Sequence, residues 1–202
     1  TEASVVTDHV LEWNENHEDD DWFVWAHYMD PHRPYGYAQD DHAYVDRSLD
    51  DRDVEELMAR AGVSPSKLTQ EEIDLLVDLY DSDLRYLDGE LTRLVDGLES
   101  MGVWTDLDVL FTSDHGEEFG EHGKFYHRNA PYDELIHVPL VHKRPDESGT
   151  VSDQRELVDL APTILRRHGV SPPEDLPGSP LTTDAERTVV AAALRGELLF
   201  GV

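Results

Sequence analysis

Between Thr69 and Gly102 the sequence specifies one long amphipathic helix, and that stretch limits what the rest of the chain can build. Thr69 is a natural N-cap, and Glu72 three residues later completes a capping box. Ile73, Leu76, Val77, Tyr80, Leu84, Leu87, Leu91, Leu94, Val95 and Leu98 recur on one face. A helix with a single apolar face needs another layer to lie on, and short apolar runs elsewhere supply candidates. Residues 22–28, WFVWAHY, are bounded by charge and read as a buried strand of a parallel sheet. Residues 108–113 and 138–141 read as two further strands, and 188–194 as a last one. Shorter helices are predicted over 6–16, around 54–61 and over 157–168, the last stopped by Gly169. An acidic turn at 18–21 breaks the first of these, and 36–68 otherwise reads as an irregular surface excursion. Strands alternating with helices predict an α/β fold, with a mostly parallel sheet flanked by helices.

Charge narrows the partners. The chain has 45 Asp plus Glu against 16 Lys plus Arg in 202 residues, a formal charge of −29. Such a surface repels nucleic acid and anionic membranes, so neither is expected as a partner. The acids are spread along the chain, and 39% hydrophobic residues suffice for a core, which argues against a disordered acidic arm. The bases are skewed to thirteen Arg against three Lys (Lys67, Lys124, Lys143), a balance that resembles proteins of salt-loving microbes. In their cytoplasm, the expected location, screening lengths shrink to about 3 Å or less and carboxylate repulsion fades. There is no Cys, hence no disulfide framework or thiolate metal site, and no apolar run approaches the ~20 residues of a membrane span.

Two polar motifs stand at the C-terminal ends of separate predicted strands: Asp30-Pro31-His32 and Asp114-His115-Gly116. Loops at that edge of a parallel sheet converge on a crevice, where sites form. A carboxylate and an imidazole side by side can share one divalent cation if the chain turns sharply, which Gly116 permits. On these two residues alone an N-cap Asp beside an exposed His is the competing reading. The polar run that follows, from Glu117-Glu118 through His122, His127 and Arg128 to Tyr132-Asp133-Glu134, calls for a charged site between two buried strands. His27, within the first apolar run, reads as a hydrogen-bonded core histidine.

The stretch FTSDHGEEFGEHGKFYHRNAPYDELIHVPLV, residues 111–141, resembles the sulfatase segment that runs from a metal-binding Asp–His or Asp–Asn pair to an Arg- or His-Val-Pro-Leu strand. Residues 22–35, WFVWAHYMDPHRPY, are similar to the sulfatase strand that ends in a substrate-binding His. LYDSDLRYLDGELTRLVDGLESMG and ELVDLAPTILRRHGV look like family segments in the same order. The resemblance covers 1–181 and implies an alkaline phosphatase-like fold. Residues 1–181 would be a partial catalytic domain, truncated of its N-terminal half, and 182–202 would begin a C-terminal subdomain. By resemblance, Asp114 and His115 are metal ligands and His32 touches the sulfuryl or phosphoryl oxygens. His127, or Arg128 beside it, takes the place of a catalytic cation against the ester. Lys124 sits too close to Gly123 for that register.

The implied cofactor is one divalent metal ion. Oxygen donors suit calcium or magnesium, whereas imidazole is commoner on manganese or zinc, so Ca2+, Mg2+ and Mn2+ stay open. The implied substrate is a small-molecule or glycan sulfate ester. A phosphodiester or phosphonate hydrolase, or a phosphoglycerol transferase, is the alternative within the superfamily. A non-catalytic acidic module that binds cations or a partner is the alternative outside it. The family's nucleophile motif, Cys/Ser-x-Pro-x-Arg, is absent: Val63-Ser64-Pro65-Ser66-Lys67 has Val and Lys at its ends and reads as a chance match. The chain alone is therefore expected to be inactive, and its unpaired strand edges to favour self-association.

Overall fold

The computed structural model describes residues 1–17, 21–36, 43–46, 48–145, 147–183, 188–195 and 197–201. Its helices are α1 (Ala3–Glu15), α2 (Asp51–Val63), α3 (Gln70–Ser100), α4 (Asp133–Ile136) and α5 (Leu160–Arg167). Its strands are β1 (Val109–Thr112), β2 (Glu118–Phe119), β3 (Phe125–Tyr126), β4 (Leu140–Lys143), β5 (Ala191–Arg195) and β6 (Glu197–Gly201). The chain divides into two compact units, one of residues 1–108 with 118–126, the other of 109–117 with 127–202. Most of the acidic turn at 18–21 and the 37–42 part of the excursion lie outside the described residues.

In the first unit α3 runs for 31 residues, about 46 Å at 1.5 Å per residue. Its capping box forms as the sequence predicts, with Thr69 Oγ1 accepting from Glu72 N–H and the Glu72 carboxylate accepting from Thr69 N–H. Leu76 and Leu79 on its buried face meet Val54, Leu57, Met58 and Ala61 of α2, with Tyr35, Phe125 and Tyr126 closing the cluster. Glu72 also takes a bidentate pair from Arg60, joining α3 to α2. α1 lies on the far part of α3, close enough that Leu11 occupies the space a Cβ on Gly97 would need. Arg93 clasps the two helices by bonding Asp8, Glu90 and the Ser4 carbonyl.

The expected strand at 22–28 is not a strand. The segment takes no regular secondary structure and no described strand pairs with it, and a strand exists only as one half of a ladder. Trp22 packs edge-on against Trp13 of α1, while Phe23 and Trp25 remain 58% and 70% exposed. His27 is exposed as well, with Nε2 3.0 Å from Met29 Sδ, so it is not a core histidine. At the end of the segment Asp30 is buried and its Oδ1 accepts from Ala3 N–H at 2.9 Å, capping α1 from 27 residues away.

In the second unit β1 and β4 pair antiparallel, Val109 opposite Lys143 and Thr112 opposite Leu140. The other described pairs, β2–β3 and β5–β6, are also antiparallel. The α/β class stands, but within these residues the parallel pairing expected of the sheet is replaced by antiparallel ladders. The reason is local: the chain leaves the C-terminal end of β1, loops through 113–139 and returns along the same edge. The helix predicted at 157–168 begins with a 3-10 turn, runs as α5, and stops at Gly169 with φ 70°. Asp159, fully buried, anchors it by accepting from Glu156 N–H and Ser179 N–H, both at 2.8 Å. The last strand starts three residues later than 188 and turns back as a hairpin.

Candidate active site

The loop after β1 is shaped by backbone contacts that fix both side chains of the Asp–His pair. Ser113 Oγ donates to the His115 carbonyl at 2.6 Å, and Asp114 Oδ1 accepts from His115 N–H at 3.1 Å. Gly116 N–H donates to the Leu135 carbonyl at 2.9 Å, seating the loop on α4. A Cβ on Gly116 would fall 2.0 Å from the Glu134 carbonyl oxygen. Glycine is required here by close approach of two backbones, a reason the sequence did not show.

His115 Nδ1 lies 2.8 Å from the Gly116 carbonyl, so Nδ1 carries the hydrogen and Nε2 keeps its lone pair. That Nε2 stands 3.8 Å from Asp114 Oδ2, and the Asp114 side chain is 77% exposed. Two donors so spaced suit neighbouring positions on one cation with bonds of about 2.0 to 2.4 Å. A histidine whose second nitrogen donates to a carbonyl is the usual form of a metal-bound imidazole. The pair fits a divalent ion as two ligands of a larger shell. Among the described residues, no group of three or more such side chains gathers to complete one.

His127 follows Tyr126, which holds φ 69°, an uncommon backbone state for a bulky residue. Its ring stacks on His115 with centroids 4.2 Å apart and planes 27° from parallel. Its Nδ1 is 3.1 Å from Oε1 of Glu117, whose side chain is only 6% exposed. Arg128 lays its guanidinium 4.7 Å above the Tyr132 ring. Asp114, His115, His127 and Arg128 line one cleft of about 520 Å3, together with Asn129 and Leu135. Four of the five site residues predicted from sequence thus share a cavity. His32 belongs to the other compact unit, in the turn that follows 22–28, where its Nδ1 is 2.6 Å from the Arg33 carbonyl. Lys124 is exposed in the turn between β2 and β3. Val63 is 85% exposed at the end of α2, which fits a chance match to the nucleophile motif. Sequence reasoning left Glu117 without a role, because nothing in a one-dimensional pattern pairs it with a residue ten positions on.

Known proteins resemble the chain over most of its length. The sulfatase family model matches residues 2–170. The chain is 30% identical over 150 residues to the low-salt glycan biosynthesis sulfotransferase Agl7 of Haloferax volcanii, an alignment covering 71% of this chain and 32% of that protein. It is 33% identical over 114 residues to arylsulfatase K of Bos taurus, covering 55% of this chain and 21% of the other. Among solved structures, the phosphonate monoester hydrolase of Silicibacter pomeroyi superposes with TM-score 0.73 at 22% identity, covering 96% of this chain and 44% of that one. The matches therefore span about a fifth to a third of the curated relatives' length.

Proposed function

Because the chain belongs to the sulfatase family, we propose that it carries one side of a divalent-metal site for hydrolysing sulfate esters. The observation that bears this reading is the Asp114–His115 pair, with Nδ1 of the histidine tied to the Gly116 carbonyl and Nε2 beside the carboxylate. These two residues would hold the metal. A bound divalent ion supplies fixed positive charge against the non-bridging oxygens of a sulfate monoester. His127 would hold or deliver the proton of the leaving oxygen. Arg128, oriented by Tyr132, adds cationic charge to the same cleft. His32 is assigned to the ester's anionic oxygens by family resemblance. Sulfated small molecules and glycans are the substrate class, a reading supported by the arylsulfatase and glycan-biosynthesis relatives. Phosphonate or phosphodiester hydrolysis draws on the same residues, and the nucleophile segment decides between them. This chain holds no Cys/Ser-x-Pro-x-Arg motif, so the chain by itself is expected to leave p-nitrophenyl sulfate uncleaved.

A second reading, a non-catalytic cation-binding module, draws on the gathering of two donors and no third among the described residues. Isothermal titration with Mn2+ and Ca2+ separates the two. One saturable site lost in Asp114→Ala supports the hydrolase half-site. Weak multivalent uptake that Asp114→Ala leaves unchanged rejects it in favour of a generic acidic surface.

A further inference from the structure

Resting on the hydrolase reading, we infer that Glu117 is the positioning residue for His127, holding its ring so that Nδ1 bears the hydrogen and Nε2 serves the cleft. The ring is constrained in two independent ways. Along one edge, Nδ1 meets Glu117 Oε1 at 3.1 Å; across one face, the ring lies on His115 at 4.2 Å. The stack fixes the plane of the imidazole and the carboxylate fixes its rotation within that plane. Glu117 is suited to this task because its side chain is 94% withdrawn from solvent, so water competes poorly for the contact. Its own backbone position is set by Gly116, the preceding residue, whose N–H is bound to the Leu135 carbonyl.

The consequence is chemical. Neutral imidazole has one N–H, and the partner at one nitrogen decides which nitrogen carries it. An acceptor at Nδ1 draws the hydrogen there and leaves Nε2, on the opposite edge, as the nitrogen that can take or give a proton. His115 is ordered the same way by the Gly116 carbonyl at 2.8 Å. Two stacked imidazoles that line one cleft are therefore each held at Nδ1 by an acceptor. One receives its orientation from the backbone and can use its nitrogen for a cation. The other receives it from a side chain, Glu117, and can use its nitrogen for a proton.

The test reads the tautomer directly, by two-bond 1H–15N correlation of the histidine rings. It is run about two pH units above the ordinary imidazole value of about 6.5, where the rings are neutral. The parent chain is expected to show His127 protonated at Nδ1. Glu117→Gln keeps an acceptor oxygen and should retain that form. Glu117→Ala should shift the hydrogen to Nε2 at His127 while His115 keeps its own pattern. His115 thus reports whether the loop is still folded. If Glu117→Ala unfolds the loop, the parent and Glu117→Gln spectra decide. His127 protonated at Nε2 in the parent, or unmoved in a folded Glu117→Ala chain, overturns the assignment. Since this readout needs neither metal nor turnover, loss of the cation-binding result would refute the hydrolase reading while leaving the Glu117–His127 coupling intact.

Discussion

Asp30 shows how one residue can tie down a helix start that is distant in sequence. Its carboxylate is buried at the end of the 22–28 segment, two residues before His32, and accepts the first N–H of α1. Burial pushes its pKa above the ordinary carboxylate value, and the Ala3 hydrogen bond opposes that only in part. A raised folded-state pKa means that the group favours folding below its unfolded value of about 3.9, and that this contribution is lost as pH rises through the folded value. Asp30→Asn keeps an acceptor for the helix terminus and removes the buried charge, so its stability should fall less than the parent's between about pH 4 and about pH 7. Asp30→Ala also lacks the buried charge, so it should share the flatter pH slope of Asp30→Asn while lying about 1 kcal/mol below it for want of the cap. Denaturant midpoints across that range check both, and equal pH slopes in the parent and Asp30→Asn would remove the burial argument. At this scale Asp114 and His115 stood out as a polar pair at a predicted strand end, and His127 and Arg128 through resemblance to a family segment; the four line one cleft. Glu117 and the true reason for Gly116 were not legible, since both depend on which backbones approach in space.

The elements divide along the same line. α3 could be read nearly to its ends because its cap, its period and its stop are all local. The 22–28 segment has the composition of a central strand, yet its structure depends on a neighbour that no pattern within it can specify. Antiparallel pairing of β1 with β4 was equally hidden, because direction is decided by where the 113–139 loop returns. The segment keeps exposed Phe23 and Trp25 beside a groove formed with Val6, Val10 and Trp13 of α1. Residues 22–28 contain no acid and carry two exposed aromatic side chains, so two copies can meet on them without like-charge contact. The parent chain should therefore self-associate through this exposed aromatic patch as its concentration rises, more so in salt. Sedimentation equilibrium should show Phe23→Lys/Trp25→Lys holding at the monomer mass. A parent that stays monomeric, or a double variant that associates as before, excludes the patch as the contact.

Across the whole molecule, charge outweighs any single contact. With a formal charge of −29, acids outnumber bases 45 to 16, and pairs such as Arg93 with Asp8 and Glu90 take only a few of them. The outer face of α3 carries Asp74, Asp78 and Asp81 at successive turns, where like charges cost about 0.2–0.5 kcal/mol per pair. Those repulsions act over a screening length of about 10 Å at 0.1 M salt and about 3 Å at 1 M. Raising KCl from about 0.1 M to about 2 M should therefore raise Tm, because repulsion among the many acids is screened while the few short ion pairs lose less. If charge is the cause, replacing Asp74 and Asp81 with Lys should raise Tm at low salt and flatten its rise with KCl. A parent Tm that does not climb with KCl would show that the acidic surface is merely tolerated. A double variant with an undiminished slope would place the salt effect in apolar burial, which these two exposed positions do not touch.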